Sequence, residues 1–390
     1  MSTTLPARTT TREWLAVALV ALGIFTMVTV EMLPVGLLTP MTGQLNVTIG
    51  TGGLMVTIPG VVAAIAAPLV IGGAGRLDRR ILLCGLMSTL ALANLISAVA
   101  PNFPVLLTAR ALAGVCIGGF WSVAGSLAVR LVRAESVPRA TSLIFGGVAT
   151  ASVLGVPLGT QLGQIAGWRW AFAAGAVLAG LVLAGMVSTL PTLPSTASSL
   201  RSLPNLVRTN LGIRCGLFVT GCVVVGHFTA YTFVRPILTD VAGIAPGLIG
   251  ALLLGYGVAG ITGNFIAGAR VARRTFATMA AIAIGLAVVL LAIPLLGNGP
   301  AGGVGILLLW GLAYGGVSVS TQTWIMRAAP NAAEAATALN VSIFNLSIAL
   351  GAAAGGFIVG TTSLTTTAWF GGILVVLAVP VAYVGRKSVA

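Results

Sequence analysis

Only six carboxylates occur in this sequence: Glu13, Glu31, Asp78, Glu135, Asp240 and Glu334. Five lie in or beside polar turns, and Glu31 alone sits inside a long apolar run. A carboxylate in apolar surroundings has to be paired, protonated or wet. The chemistry open to it is uptake and release of a proton. Arg110 is the one basic residue placed as deeply, and the single histidine, His227, follows Glu31 by 196 residues. Structural roles stay open for all three. Glu31 can be a polar contact between helices, Arg110 can snorkel or hold backbone carbonyls, and His227 can be a hydrogen-bonded interhelical residue.

Other polar or aromatic side chains fall in the apolar runs: Trp121, Tyr231, Tyr314, Gln322, Asn340 and Asn345. With His227, whose other functional reading is a second titratable group, they are candidates to line a solute cavity. Arg110, Gly114, Gly118 and Trp121 lie close to one helical face, because eleven residues advance nearly three turns. Trp121 can face a cavity or pack against lipid and core. Cys84, Cys116, Cys215 and Cys222 also lie in apolar runs, with no CxxC and no histidine at ligand spacing, so no metal site is expected. Gly255-Tyr-Gly257-Val-Ala-Gly260 fits GxGxxG, but no strand precedes it. No Walker A, HExxH or nucleophile–base arrangement occurs. No cofactor is expected, and the chain does not read as an enzyme.

The elements that must position these residues follow from composition. Of the 390 residues, 57% are hydrophobic and 7% charged, against about 25% charged in a soluble domain. The medium that matches is lipid. A span needs about 20 apolar residues, and twelve runs meet this: 15–39, 51–73, 81–100, 104–128, 141–166, 170–190, 213–237, 247–269, 275–297, 302–326, 335–360 and 367–385. The first is too long for a signal peptide. Glu31 lies about 12 Å and Arg110 about 9 Å from the same end of the bundle, at 1.5 Å per residue. A shared cavity in which each biases the other is therefore expected. Desolvation favours the neutral carboxyl and a nearby guanidinium the ionised one.

Every basic residue except Arg110, Arg169 and Arg235 falls at a terminus or in alternate turns. By the positive-inside rule both termini are cytoplasmic. The net charge of +14 therefore speaks for membrane orientation and not for nucleic acid. The longest polar stretch divides the chain into 1–190, a linker at 191–212, and 213–390. The halves repeat at an offset of 196: Pro40 with Pro236, Thr141 with Thr337, Gly155 with Gly351 and Gly159 with Gly355. Duplicated six-helix units place a substrate site between halves near the midplane.

Glu31-Met-Leu-Pro-Val-Gly-Leu-Leu-Thr-Pro40, Gly118-Gly-Phe-Trp121-Ser and Tyr231-Thr-Phe-Val-Arg235-Pro236 resemble the major facilitator superfamily, in particular sugar and purine ribonucleoside efflux members of its drug:proton antiporter-1 branch. Arg110 with Gly114 and Gly118 is similar to the branch's span-4 motif, whose arginine is implicated in proton coupling. Gly155-Val-Pro157-Leu-Gly159 is similar to its span-5 antiporter motif. Asp78-Arg79-Arg80 resembles the loop latch between spans 2 and 3, although Ala74 stands where the family has glycine and Ile81 ends the motif early. In the second half Ala272 replaces the aspartate.

The resemblance implies an all-α membrane fold of twelve helices in two pseudo-symmetric six-helix bundles. It implies a proton-coupled exporter of a small polar solute working by alternating access. Glu31 and Arg110 would serve proton coupling, and Asp78, Arg79, Arg80, Gly155, Pro157 and Gly159 conformational change. The expected partners are solute, protons and the bilayer, with the chain working as a monomer. Multidrug efflux is the alternative within transport; a channel or a sensor is the more distant one.

Overall fold

Inside a bilayer the backbone has no water to bond, so an apolar segment crosses as a helix. The structure, a computed structural model, describes residues 10–74, 77–194 and 203–388. Arg8, Arg76, Arg201 and residues 195–202 of the expected linker lie outside the described residues. Among the described residues twelve helices are long and apolar enough to span. They are α1 (Thr11–Gln44), α2 (Ile49–Val70), α3 (Arg79–Val99), α4 (Phe103–Ala124), α5 (Ala134–Ile165), α6 (Trp168–Thr189), α7 (Leu211–Tyr231), α8 (Pro246–Val271), α9 (Thr275–Leu296), α10 (Pro300–Ala328), α11 (Ala336–Thr361) and α12 (Leu364–Ser388). An even number of spans puts the start of α1 and the end of α12 on one face. No strand occurs among the described residues.

Polar turn residues start these helices by side-chain capping. Thr10 and Glu13 form a reciprocal capping box on α1, which accounts for one of the six acids. Asn102, Asn210 and Ser363 accept from backbone N–H groups at the starts of α4, α7 and α12. Proline shapes the interiors. Pro157 has no N–H to give, and the turn before it, Ala151–Gly155, widens to a π-helix. The expected seventh span, 213–237, is shorter. α7 stops at Tyr231, and the chain turns before a separate helical piece at Val234–Pro236. Pro236 is unable to extend the ladder.

The internal repeat is present in the packing. α1 packs on α5 and α6, α2 on α4, and α3 on α6; the same pairs recur as α7 on α11 and α12, α8 on α10, and α9 on α12. A Cβ on Gly155 would strike Thr29 and one on Gly159 would strike Leu33. Gly351 and Gly355 meet Val225 and Thr229 in the same way. Each of these partners also lies 196 residues from its counterpart. The glycines let α5 close onto α1 side chains and α11 onto the α7 backbone itself.

The two halves join along α2–α11 and α5–α8. Gly50 meets the Gly356 backbone at the end away from the start of α1, and Gly257 meets that of Ser152 nearer mid-span. Of α5, residues 151–165 carry the extensive contact with α8. Buried side chains are exchanged there: Phe233 packs into the core of the first half, and Val35, Val56 and Val156 into that of the second. Exposed Val177, Leu181, Phe265, Val288 and Phe357 face outward, as lipid requires.

Candidate functional site

Four prolines lie inside the first two spans, Pro34, Pro40, Pro59 and Pro68, and three of the carbonyls they leave without helical donors are served by side chains from elsewhere. Pro34 frees Val30, Pro40 frees Gly36 and Pro59 frees Met55, each four residues back. A buried orphan carbonyl is costly in lipid, and two arginines serve all three. Arg110 donates through Nε to Met55 O at 3.0 Å, through Nη1 to Val30 O at 3.1 Å and through Nη2 to Glu31 O at 3.0 Å. Its planar fork thus ties both broken turns to α4. Arg235 donates through Nη1 to Gly36 O at 2.6 Å, from the second half to the first. The signal for this arrangement was in the sequence as proline inside apolar runs. That Arg110 could hold backbone carbonyls was one reading the sequence left open; which carbonyls it and Arg235 reach was not legible, because donor and acceptor lie far apart in the chain.

Arg110 is 1% exposed and Glu31 6%. The guanidinium holds Glu31 by its backbone carbonyl, not by its carboxylate, and the two charges act on each other electrostatically. Among the described residues no group donates a hydrogen bond to that carboxylate. The main chain at Glu31 is therefore fixed while its side chain stays unencumbered. Tyr314 of α10 lies near enough across the bundle to feel the Glu31 charge.

His227, 0% exposed, sits in a cluster of rings. It stacks on Tyr314 at 3.4 Å and on Tyr231 at 4.7 Å, with Phe228 edge-on at 4.8 Å. Trp310 Nε1 donates to His227 Nδ1 at 3.0 Å. Tyr256 stacks on Tyr231 at 4.9 Å, and its buried hydroxyl has no partner. The cluster holds three of the four tyrosines in the chain and its only histidine. Trp310 and Tyr256 were not anticipated. Tyr256 lies within the Gly255–Gly260 segment that mimics a nucleotide motif, and its role follows only from α8 packing beside α10.

The remaining expected cavity residues separate. Gln322, Asn340 and Thr220 form a network between α10, α11 and α7. Thr220 Oγ1 donates to Asn340 Oδ1 at 3.2 Å, Asn340 Nδ2 to Gln322 Oε1 at 3.1 Å, and Gln322 Nε2 to Thr337 Oγ1 at 2.7 Å. Asn345 Nδ2 bonds back to Val341 O within its own helix. Trp121 stacks on Phe145 of α5 at 6.1 Å. Asp78 caps α3 through Arg80 N at 2.8 Å and accepts from Leu193 N at 2.9 Å, while Arg80 Nη2 donates to Val187 O at 2.5 Å. The Asp78–Arg80 corner thus clasps the end of α6. Arg79 is buried with Nη1 unpartnered.

The sequence profile of the Major Facilitator Superfamily matches residues 19–351. The chain belongs to that family. It is a multi-pass membrane transporter, not an enzyme. Its relatives include a Pseudomonas aeruginosa protein named transcription regulatory protein OpdE, 36% identical over 94% of this chain and 92% of that one. The purine ribonucleoside efflux pumps NepI of Shigella sonnei and Escherichia coli K12 are each 33% identical, again over 94% of this chain and 92% of theirs. Among solved structures, a bacterial homolog of the human lysosomal transporter Spinster, inward-facing and occupied, has the same fold. It superposes with a TM-score of 0.77 at 13% identity, covering 97% of each chain.

Proposed function

We propose that this transporter exports a small polar, ring-bearing solute of the purine nucleoside class in exchange for protons entering the cell. The observation that carries this reading is Glu31: a buried carboxylate with a pinned backbone and, among the described residues, no hydrogen bond to its oxygens. Such a group can take a proton from one side and lose it to the other. The aromatic cluster around His227, on the opposite half, supplies ring faces and unpaired polar atoms of the kind a heteroaromatic solute uses. The names of the NepI relatives favour a purine ribonucleoside over a drug as that solute.

Residues 1–190 and 213–390 rock as two units about the α2–α11 and α5–α8 contacts, with 191–212 as linker. The arginine distribution places both termini in the cytoplasm. The joined end would then face outward, which favours an inward-facing reading of this state. Asp78, Arg79 and Arg80 latch that face. Gly155, Pro157 and Gly159 let α5 pivot on α1. One chain holds a complete site and works as a monomer.

The test is exchange in proteoliposomes with tritiated adenosine and an imposed pH gradient. Wild type should accumulate label against its gradient. Glu31→Gln should keep adenosine counterflow and lose the response to ΔpH; intact proton-driven accumulation in that variant removes Glu31 from the mechanism. A drug-susceptibility panel on the same expressing strain separates multidrug efflux. The relative with a regulatory name gives the sensor reading one foothold, and binding without flux is the result that would support it.

A further inference from the structure

An indole N–H donates and never accepts. Because Trp310 Nε1 meets His227 Nδ1 at 3.0 Å, Nδ1 must present its lone pair. A neutral imidazole then carries its proton on Nε2. That atom is buried and has no partner among the described residues. An unmet buried donor is costly, so Nε2–H is held ready for something that is not protein. The ring has little freedom to swing away, being stacked between Tyr314 and Tyr231 with Phe228 at its edge.

Adding a proton at Nδ1 would set two donors head-on. The groups around the ring offer no charge to offset this. They are the Tyr231 phenol on α7, the Trp310 indole and Tyr314 phenol on α10, and Tyr256 on α8, which packs on Tyr231 and Trp310. Glu31 of α1 reaches the cluster only through its field on Tyr314. α11 and α12 contribute no ionisable contact to the ring among the described residues. The unpartnered Tyr256 hydroxyl is a second polar group left open in the same cluster.

We propose that Trp310 is a positioning residue. It locks His227 as the Nε2–H tautomer, so the histidine gives the solute a fixed hydrogen-bond donor and is not a second proton carrier. The donor matches an acceptor on a heteroaromatic ring, and one proton site, Glu31, remains in the cycle. The solute half of this rests on the function proposed above; the tautomer does not.

The chain has one histidine, so 15N-histidine labelling of the whole protein in nanodiscs yields a single pair of ring nitrogens. The wild type should show a protonated Nε2 and a bare Nδ1, unchanged between about pH 5 and pH 8. A doubly protonated ring in that range, or a proton on Nδ1, overturns the proposal without recourse to any variant. In Trp310→Phe the ring should titrate or mix tautomers, and an unaltered spectrum removes Trp310 from the role. In proteoliposomes Trp310→Phe should raise the KM for adenosine about 2- to 12-fold, the worth of one hydrogen bond, with maximal rate nearly kept. A loss confined to maximal rate overturns the donor role. Wild type failing to move adenosine at all would sink the solute assignment, while the spectrum still decides the tautomer.

Discussion

Arg235 of the second half donates to the carbonyl of Gly36 in the first at 2.6 Å, and that carbonyl is free because Pro40 has no N–H to give it. A helix defect in one bundle thus becomes the docking point for a buried arginine of the other. Opening this end of the molecule must break the bond and leave both groups bare.

Removing it should favour the state open at that end. A charge-assisted bond of about 1.5–3 kcal/mol corresponds to about tenfold or more in population. Gln161 lies at the joined end, against Gly250. In a background with the four natural cysteines replaced, Gln161→Cys should react with a membrane-impermeant maleimide about tenfold faster when Arg235→Gln is added. Equal rates would show that Arg235 does not hold the joint.

The Arg110 clamp predicts a specific non-additivity. Arg110→Gln leaves the carbonyls of Val30 and Met55 unpaired, at about 1–3 kcal/mol each, and should lower thermal stability in detergent markedly. Pro34→Ala restores an N–H for Val30 O. The double variant Arg110→Gln with Pro34→Ala should therefore be more stable than Arg110→Gln alone. Simple addition of the two single effects would mean that the proline and the arginine are not coupled.

The repeated glycines should differ in tolerance. A Cβ at Gly159 meets only the Leu33 side chain, whereas one at Gly355 meets the Thr229 backbone carbonyl and the Phe233 ring. A side chain can turn aside and a backbone cannot. Gly355→Ala should cost about 1–3 kcal/mol as overpacking and Gly159→Ala clearly less, as read from the two melting temperatures.

The Gln322–Asn340–Thr220 network is satisfied within the protein, which argues for a structural part. Asn340→Ala should lower stability by about 1–3 kcal/mol and leave the KM for adenosine within twofold. A raised KM at unchanged stability would instead assign Asn340 to the solute.

Fold and candidate site were legible to different degrees. The twelve spans could be read because lipid exacts one signature, a run of apolar residues, whatever the neighbouring helix is. Glu31 stood out for the same reason, as a charge where the solvent tolerates almost none. The His227 cluster was half visible: the histidine and two tyrosines were noticed as polar outliers. Trp310 and Tyr256 carry no such signal: each is a single aromatic residue in an apolar run, and only the packing of distant helices brings it to the His227 cluster.

Sequence alone determined the medium, the number of crossings, the duplication and the few groups able to carry a proton, since each depends on local composition or on a fixed offset. Tertiary structure decided the partners. Which carbonyl Arg110 or Arg235 finds, and which nitrogen of His227 is left open, depend on helices more than fifty residues apart in the chain meeting at one depth. Such contacts leave no periodic trace, because one hydrogen bond constrains two residues and nothing between them.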